Sequence, residues 1–179
     1  MSLSLKGKRV ALLVTDGFEQ VEMTEPKKAL EAAGARADVL STKEGQVQGW
    51  HHDKPGDSFP VDGTIDKAQV EEYDAIVLPG GVMNSDTIRT DTAALTLVQA
   101  AEKSGKPIAV ICHGAWLLVS AGLVEGKTMT SWPSLKDDIR NAGGDWQDKE
   151  VIRDGNLISS RKPDDLPAFN QALLELLAA

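Results

Sequence analysis

The sequence of 179 residues contains a single cysteine, Cys112. One cysteine cannot form a disulfide within its own chain, which excludes the disulfide-stabilised design of small secreted domains. A zinc-type cysteine pair is also absent, and the adjacent histidines His51 and His52 lack the spacing of zinc ligands on a helix. We therefore expect a free Cys112 thiol in a cytoplasmic protein, and no bound metal.

Basic residues are few as well, with 19 Lys and Arg against 27 Asp and Glu and a net charge of −8. This balance argues against nucleic acid and anionic membranes as partners, because both are bound through basic surfaces. The longest apolar runs have the length of strands and fall far short of a membrane span, which needs about 18 residues. Neither a G-x-G-x-x-G motif nor a P-loop occurs, so we expect no nucleotide cofactor.

Apolar runs typical of buried strands alternate with helical patterns along the chain. The runs 9–15, 36–41, 75–78 and 107–111 suit parallel strands, and helical patterns span 22–33, 92–104, 135–142 and 163–179. This alternation predicts one domain over residues 1–179, an α/β fold with three layers and a doubly wound, mostly parallel sheet.

The remaining segments are less regular. Asp154-Gly155 predicts a hairpin between 150–153 and 156–160. The stretch 42–60 is polar and rich in glycine, and only 58–65 suggests a short strand or hairpin edge. A short polar stretch also follows Pro79-Gly80-Gly81.

The motif that organises the chain is the stretch 106–115, in which a strand runs into Cys112, His113 and Gly114, and a helical pattern follows at 116–121. A strand, a sharp turn and a helix form the geometry of a nucleophile elbow. Backbone N–H groups at the helix start favour the thiolate, which is the reactive form of cysteine. Gly114 allows the turn to pack closely on the sheet, whereas Val110 occupies the position of the first glycine in G-x-S-x-G. The alternative is a buried, structural cysteine.

Two other strand ends are expected beside this elbow, since the carboxyl ends of parallel strands meet at one edge. The first is the end of the strand 9–15, which Glu19 follows. The carboxyl group of Glu19 would have a raised pKa near a thiolate and could act as acid or base. Glu22 and Glu25, farther along the helix, are expected on a solvated face. The second strand end precedes Gly81, whose N–H could form an oxyanion hole with the N–H of His113.

The roles of His113 and of two aspartates near the elbow have more than one interpretation. His113 either serves as the base for Cys112 or is satisfied by a nearby carbonyl. Asp86 and Asp91 follow the Pro79-Gly80-Gly81 turn, and by default each is a helix cap.

The sequence resembles the ThiJ/PfpI superfamily over nearly its whole length, and most closely the PfpI-type intracellular cysteine peptidases. The motifs that carry the resemblance are Asp16-Gly17-Phe18-Glu19, Leu78-Pro79-Gly80-Gly81, Ala109-Val110-Ile111-Cys112-His113-Gly114 and Ser159-Ser160-Arg161-Lys162-Pro163-Asp164-Asp165-Leu166-Pro167. The resemblance implies a flavodoxin-like fold related to class I glutamine amidotransferases. It also implies that Cys112 is the nucleophile on a strained elbow, and that Glu19 is hydrogen-bonded to its sulfur.

The resemblance further implies that His113 pairs with an acid from a neighbouring subunit, and therefore a homo-oligomer, a dimer or a hexamer. Asp86 is our choice for that acid. The stretch that contains it, 82–86, is one residue longer than the commonest family pattern. Ala115-Trp116 is a second departure, because many relatives have Pro-Gln there, and it should alter the wall of the pocket.

Three functions are compatible with a reactive Cys112. The first is a PfpI-type cysteine hydrolase linked to the stress response, in which the thiolate attacks a carbonyl of a peptide or protein substrate. The second is a glyoxalase or deglycase that acts on methylglyoxal and its dicarbonyl adducts on proteins or nucleotides, with Glu19 as the main proton shuttle. The third is a non-enzymatic redox-sensing stress protein or chaperone, because a low-pKa cysteine oxidises readily.

Overall fold

The computed structural model describes residues 2–179. Its strands are β1 (Arg9–Leu13), β2 (Phe18–Glu19), β3 (Arg36–Ser41), β4 (Gln46–His51), β5 (Lys54–Pro60), β6 (Gly63–Thr64), β7 (Ala75–Leu78), β8 (Ile108–Ile111), β9 (Thr128–Met129), β10 (Asp145–Trp146), β11 (Ile152–Asp154) and β12 (Leu157–Ser160). Its α-helices are α1 (Gln20–Ala32), α2 (Val82–Ile88), α3 (Thr92–Lys103), α4 (Ala115–Ser120), α5 (Lys136–Asn141) and α6 (Leu166–Ala178).

A seven-stranded sheet forms the middle layer, in the order β11-β12-β8-β7-β1-β3-β6. Every pair in it is parallel except β11 with β12, which form the predicted antiparallel hairpin at one edge. The chain crosses between strands through helices on both faces, so the predicted doubly wound α/β fold is confirmed. The order places β8, β7 and β1 side by side, which brings their carboxyl ends to one edge.

Successive side chains of β1 point into two different cores, which explains why this strand is apolar throughout. Val10 and Leu12 pack into a core with α1 and α6, whereas Ala11 and Leu13 pack into a second core with α3 and α4. All four residues are buried. A strand covered on both faces requires apolar residues at every position, and this is the pattern from which it was predicted.

Two elements near the site were missed by the sequence analysis. The polar stretch 42–60 folds into the β4–β5 hairpin, of which only the end of β5 overlaps the strand or hairpin edge expected at 58–65. β4 also pairs with β2 in a separate small sheet. The stretch after Gly81 forms the seven-residue helix α2. No helix among residues 2–179 is long and apolar enough to cross a membrane.

Candidate active site

The elbow carries Cys112 in a backbone conformation that is rare for a residue with a side chain. Its φ is 62°, and it is the first residue of a single 3₁₀ turn that follows β8 and leads into α4. Left-handed backbone costs of order 1–3 kcal/mol for such residues and clusters at functional sites. Gly114 allows the turn to approach the sheet, because a Cβ there would lie 2.5 Å from the carbonyl oxygen of Leu78. The predicted strand, sharp turn and helix are therefore present.

The three expected strand ends meet around one cavity of about 440 Å³. Glu19 lies after β1, Gly81 after β7 and Cys112 after β8, and all three line this cavity. The predicted convergence at one edge of the sheet is confirmed.

The carboxyl group beside the thiol belongs to Glu22. Glu22 is 0% exposed, and its Oε1 accepts a hydrogen bond of 2.9 Å from the backbone N–H of Gly80. A Cβ on Gly80 would lie 2.6 Å from Glu22 Oε1 and 2.8 Å from Cys112 Cβ, so the two side chains flank the same glycine. The other oxygen, Oε2, is buried and has no hydrogen-bond partner among residues 2–179.

Burial raises the pKa of Glu22 to about 8. The N–H of Gly80 lowers this pKa, the charge of Glu19 raises it, and a hydrogen bond with the Cys112 side chain lowers it, but the loss of solvation is the largest effect. With that pKa, Glu22 is predominantly protonated at pH 7 and can donate a proton toward the sulfur.

These contacts correct two expectations. Glu22 does not lie on a solvated face, and the expected hydrogen bond between Glu19 and the sulfur is absent. Glu19 Oε1 and Oε2 instead accept from the backbone N–H of His52, at 3.3 and 3.2 Å. Glu25 is exposed as expected.

A helical signal for Glu22 was present in the sequence. The helix begins at Gln20, and Glu22, Met23, Pro26 and Leu30 share its buried face. Their spacing of one, four and eight residues from Glu22 places the carboxyl group on the apolar stripe of α1. A carboxyl group at a core position of an amphipathic helix was therefore a stronger indication than closeness to the strand end.

The Cys112 thiol is 6% exposed, and its pKa is raised well above the ordinary value by burial and then by the charge of Glu22. The N–H groups of His113 and Gly81 donate toward the sulfur and lower this pKa. Contrary to expectation, these helix-start N–H groups are outweighed by burial. When Glu22 is protonated its charge disappears, so the two groups titrate as a coupled pair.

His113 Nδ1 lies 3.3 Å from Cys112 Sγ. Its ring stacks on Trp132 at 5.8 Å between centroids and meets the edge of Trp116 at 5.3 Å. Burial lowers the pKa of His113, which favours the neutral imidazole. The adjacent histidine thus has the rotamer that contact with the nucleophile requires, and tryptophans hold its ring.

Asp86 does not reach His113 within this chain. It is exposed on α2, and no side chain among residues 2–179 forms a hydrogen bond with His113 except Cys112. Asp86 also does not cap a helix, because it lies inside α2. Asp91 is a cap as expected, since its Oδ1 accepts from the N–H of Ala94 at 2.8 Å at the start of α3.

Asn84 was missed by the sequence analysis, although it joins two of the strand ends. It is 0% exposed, and its Oδ1 accepts from the N–H of Thr15 at 2.7 Å. Its Nδ2 donates to the carbonyls of Pro79 and Gly80, at 3.3 and 3.0 Å. Asn84 therefore fixes the turn that carries the Gly81 N–H, and no sequence signal marked it.

One wall of the cavity was also missed, because it belongs to the β4–β5 hairpin. Trp50, His52 and Asp53 line the cavity from this side, and Trp132 lines it near His113. His52 has a φ of 57° at the hairpin turn. No group of three or more metal-ligating side chains occurs among residues 2–179.

Comparison with known proteins places this arrangement in a family. The model of the DJ-1/PfpI family matches residues 8–176. Deglycase PH1704 of Pyrococcus horikoshii is 41% identical over 169 residues, which cover 94% of this chain and 99% of the relative. YraA of Bacillus subtilis, by name a candidate cysteine protease, is 37% identical over 171 residues, 95% of this chain and 98% of that one.

The solved structures agree with this placement. A two-domain protein from Anabaena variabilis with DJ-1/ThiJ/PfpI-like and ferritin-like domains has a TM-score of 0.90 and 36% identity. The likeness covers 95% of this chain and 48% of that longer chain.

Proposed function

The chain belongs to the DJ-1/PfpI family of enzymes, and we propose that it is a cysteine-dependent glyoxalase and deglycase acting on methylglyoxal and its adducts with amines. The observation that carries this proposal is the buried Glu22, with a pKa near 8, beside the Cys112 thiol. Such a pair supplies a nucleophile and a proton carrier that can both give and take a proton near neutral pH. The deglycase name of the relative from Pyrococcus horikoshii supports the same choice.

In the first step, Cys112 Sγ adds to the aldehyde carbon of the dicarbonyl unit. For an amine adduct, the carboxylate form of Glu22 takes the thiol proton as the C–S bond forms, and it gives that proton to the amine as the C–N bond breaks. Glu22 is then a carboxylate again and can take the proton of the next step. The product is a hemithioacetal, the same species that free methylglyoxal forms directly with the thiol. The N–H groups of Gly81 and His113, which lower the pKa of the Cys112 thiol, would also stabilise negative charge that develops there.

In the second step, Glu22 moves a proton from the hemithioacetal carbon to the adjacent carbonyl carbon by way of an enediol. This internal oxidation and reduction gives a lactoyl thioester of Cys112. Water then attacks the thioester carbonyl, lactate leaves, and the thiol is restored. The sum is adduct plus water to free amine plus lactate, so no external oxidant, reductant or cofactor enters the balance.

A cysteine peptidase is the second candidate, and the 3.3 Å contact between His113 Nδ1 and Cys112 Sγ favours it. A peptidase needs an acid that protonates the amine of the peptide bond, and a His of lowered pKa without a carboxylate partner suits this role poorly. A second copy that brings Asp86 to His113 would complete that triad.

We propose a homo-oligomer because Val82, Met83 and Trp132, at the cavity mouth, are exposed apolar side chains.

The test compares methylglyoxal and a peptide as substrates for the wild type and for Cys112→Ala. We expect the wild type to form lactate from methylglyoxal, and Cys112→Ala to lose at least about 1000-fold in kcat/KM, as is usual when a nucleophile is removed. Circular dichroism checks that the variant is folded. Lactate formation by Cys112→Ala at the wild-type rate, or peptide cleavage without any lactate formation by the wild type, would overturn the proposal.

A further inference from the structure

The cavity is lined by carboxyl groups and by no Lys or Arg. Glu19, Glu22 and Asp53 are its acidic lining residues. Glu22 is predominantly protonated at neutral pH, so the formal negative charge comes from Glu19 and Asp53. The closest basic residues in the sequence, Lys54 and Lys162, are neighbours of lining residues but do not line the cavity. A phosphate group in this cavity would therefore meet like charge, and no Lys or Arg of the lining would compensate it.

Two tryptophan rings stand at the same mouth. Trp50 is partly buried at the end of β4, and Trp132 is 37% exposed while it stacks on His113. Both line the cavity. Flat cations, the guanidinium group above all, stack on indole rings and pair with carboxylates at once.

From this combination we propose that the site selects dicarbonyl adducts by the charge of the amine that carries them, and that its preferred carrier is a cationic arginine side chain. Adducts on phosphate-bearing nucleotides are correspondingly poor substrates. Asp53 and Trp50, on the β4–β5 hairpin, determine this specificity. The inference rests on the proposed function, because it names the carrier that the same Cys112 chemistry releases.

The hairpin is suited to this role because it is separate from the groups that carry out the chemistry. Its sheet contains β2, β4 and β5 and not the strands that lead to Gly81 and Cys112. A Cβ on Gly49 or Gly56 of the hairpin would press on Gln20 of α1, so the hairpin is seated closely on the start of that helix. Gln20 also exchanges hydrogen bonds with Asp57, at 2.9 and 2.8 Å. Asp53 is thus held at the rim by packing remote from Cys112.

The experiment uses three methylglyoxal adducts that differ in carrier charge, on Nα-acetylargininamide, on guanosine and on guanosine 5′-monophosphate. Lactate formation is measured with adduct in excess and compared with the spontaneous release of methylglyoxal from each adduct. Guanosine and its monophosphate form a matched pair, because only the phosphate distinguishes them. We expect kcat/KM for the arginine adduct to exceed that for the monophosphate adduct by about tenfold or more, with guanosine between them.

The variant Asp53→Asn should lower the ratio of arginine to monophosphate turnover by about fivefold, the upper range for a charge at a rim. Asp66→Asn is the matched control, because Asp66 is an exposed carboxylate that does not line this cavity. It should leave the ratio unchanged. A ratio near one in the wild type, or a ratio that responds equally to the two variants, would overturn the inference.

Failure of this inference can be told apart from failure of the proposed function. If all three adducts give lactate only at their spontaneous release rates, the enzyme acts on free methylglyoxal alone, and the carrier selectivity is wrong while the Cys112 chemistry stands. If free methylglyoxal itself gives no lactate, the proposed function is wrong.

Discussion

Two buried carboxyl groups in this molecule have opposite electrostatic surroundings. Asp38, on β3, is 4% exposed, and burial raises its pKa, but hydrogen bonds from Arg36 and Arg9 outweigh burial and the net pKa is lowered. The guanidinium Nε of Arg9 lies 2.7 Å from one oxygen and that of Arg36 2.9 Å from the other. Glu22 is 0% exposed, has no cation beside it, and keeps its proton to about pH 8.

The difference separates a structural carboxylate from a chemical one. The charge of Asp38 is compensated, and the hydroxyl of Tyr73 donates a further bond of 3.2 Å to it. Burial and the charge of Asp38 raise the pKa of Tyr73 to about 12. Glu22 instead exchanges its proton in the range where an enzyme works, which is the arrangement expected of a functional site.

The largest expected effect comes from replacing Glu22, the carboxyl group that transfers the proton. Glu22→Gln preserves the shape and the acceptor for the Gly80 N–H but removes the transferable proton. We expect kcat for methylglyoxal to fall by about 100-fold, the lower range for loss of a general acid or base. The measurement is initial-rate kinetics of lactate formation.

Glu19→Gln is the matched control for this substitution, because Glu19 lines the same cavity but contacts His52, through its N–H and its ring nitrogen at 3.9 Å. It should reduce kcat by less than about fivefold, as for a charge near the site that moves no proton. Equal losses in the two variants would contradict the assignment of proton transfer to Glu22, and a larger loss with Glu19→Gln would restore the assignment made from the sequence.

Replacing Asp38, the structural carboxylate, should have the reverse effect, which is a loss of stability without a loss of activity. Asp38→Asn removes the charge between two arginines and should lower the free energy of unfolding by about 2 kcal/mol, less than for a fully buried pair because both arginines are partly exposed. Lactate formation by the folded variant should stay at the wild-type rate. Urea unfolding and the same kinetic assay measure both. A loss of activity without a loss of stability would show that Asp38 and Glu22 do not have separate structural and chemical roles.

The pH dependence of stability sharpens the comparison further. The folded state binds the Glu22 proton up to about pH 8, whereas an ordinary glutamate loses it near 4.5. Between these values the folded state holds the extra proton, so the free energy of unfolding falls as pH rises, by at most about 1.4 kcal/mol per pH unit. For Asp38 the sign is opposite, because its lowered pKa contributes stability that is lost as pH falls.

Urea unfolding of the wild type and of Glu22→Gln between about pH 5 and pH 8 tests this sign. We expect the variant to gain stability over the wild type as pH rises. A difference that does not vary with pH would mean that Glu22 titrates alike in the folded and unfolded states.

The smallest expected effect concerns the ring that supports His113. Trp132→Leu removes the stacked indole, and His113 should titrate closer to its ordinary pKa because it becomes more solvated. Nuclear magnetic resonance of the imidazole follows that titration, and kcat should change by only about threefold, the scale of one aromatic contact. Trp50→Leu is a control, since Trp50 lines the same cavity, whereas the rings that contact His113 are those of Trp116 and Trp132. Identical His113 titrations in all three proteins would contradict a supporting role for Trp132.

The sequence was informative where burial imposes a regular pattern. The continuous apolar runs of β1, β7 and β8 predicted the parallel sheet, and the strand before Cys112 predicted the elbow. The β4–β5 hairpin was missed because most of its residues are exposed, and the buried positions of β4, Val47 and Gly49, supply only one apolar side chain. Helix α2 was missed because it is seven residues long and begins with the exposed Val82 and Met83.

The identity of the site carboxylate depended on helix phase, which distance along the chain does not reveal. Glu19 precedes α1 and turns toward the hairpin, where it accepts the His52 N–H. Glu22 lies three residues later, on the face that packs toward the sheet. An acid from a second copy beside His113 stays a prediction, because a single sequence does not specify chain association.

The central claim is that Glu22 holds a proton beside Cys112 at neutral pH. The most direct measurement is the titration of glutamate side-chain carboxyl carbons by nuclear magnetic resonance in protein labelled with ¹³C-glutamate, with the Glu22 signal assigned by its absence in Glu22→Gln. We predict that this signal titrates near pH 8. A Glu22 signal that titrates in the ordinary range of glutamate, near 4.5, would contradict the account.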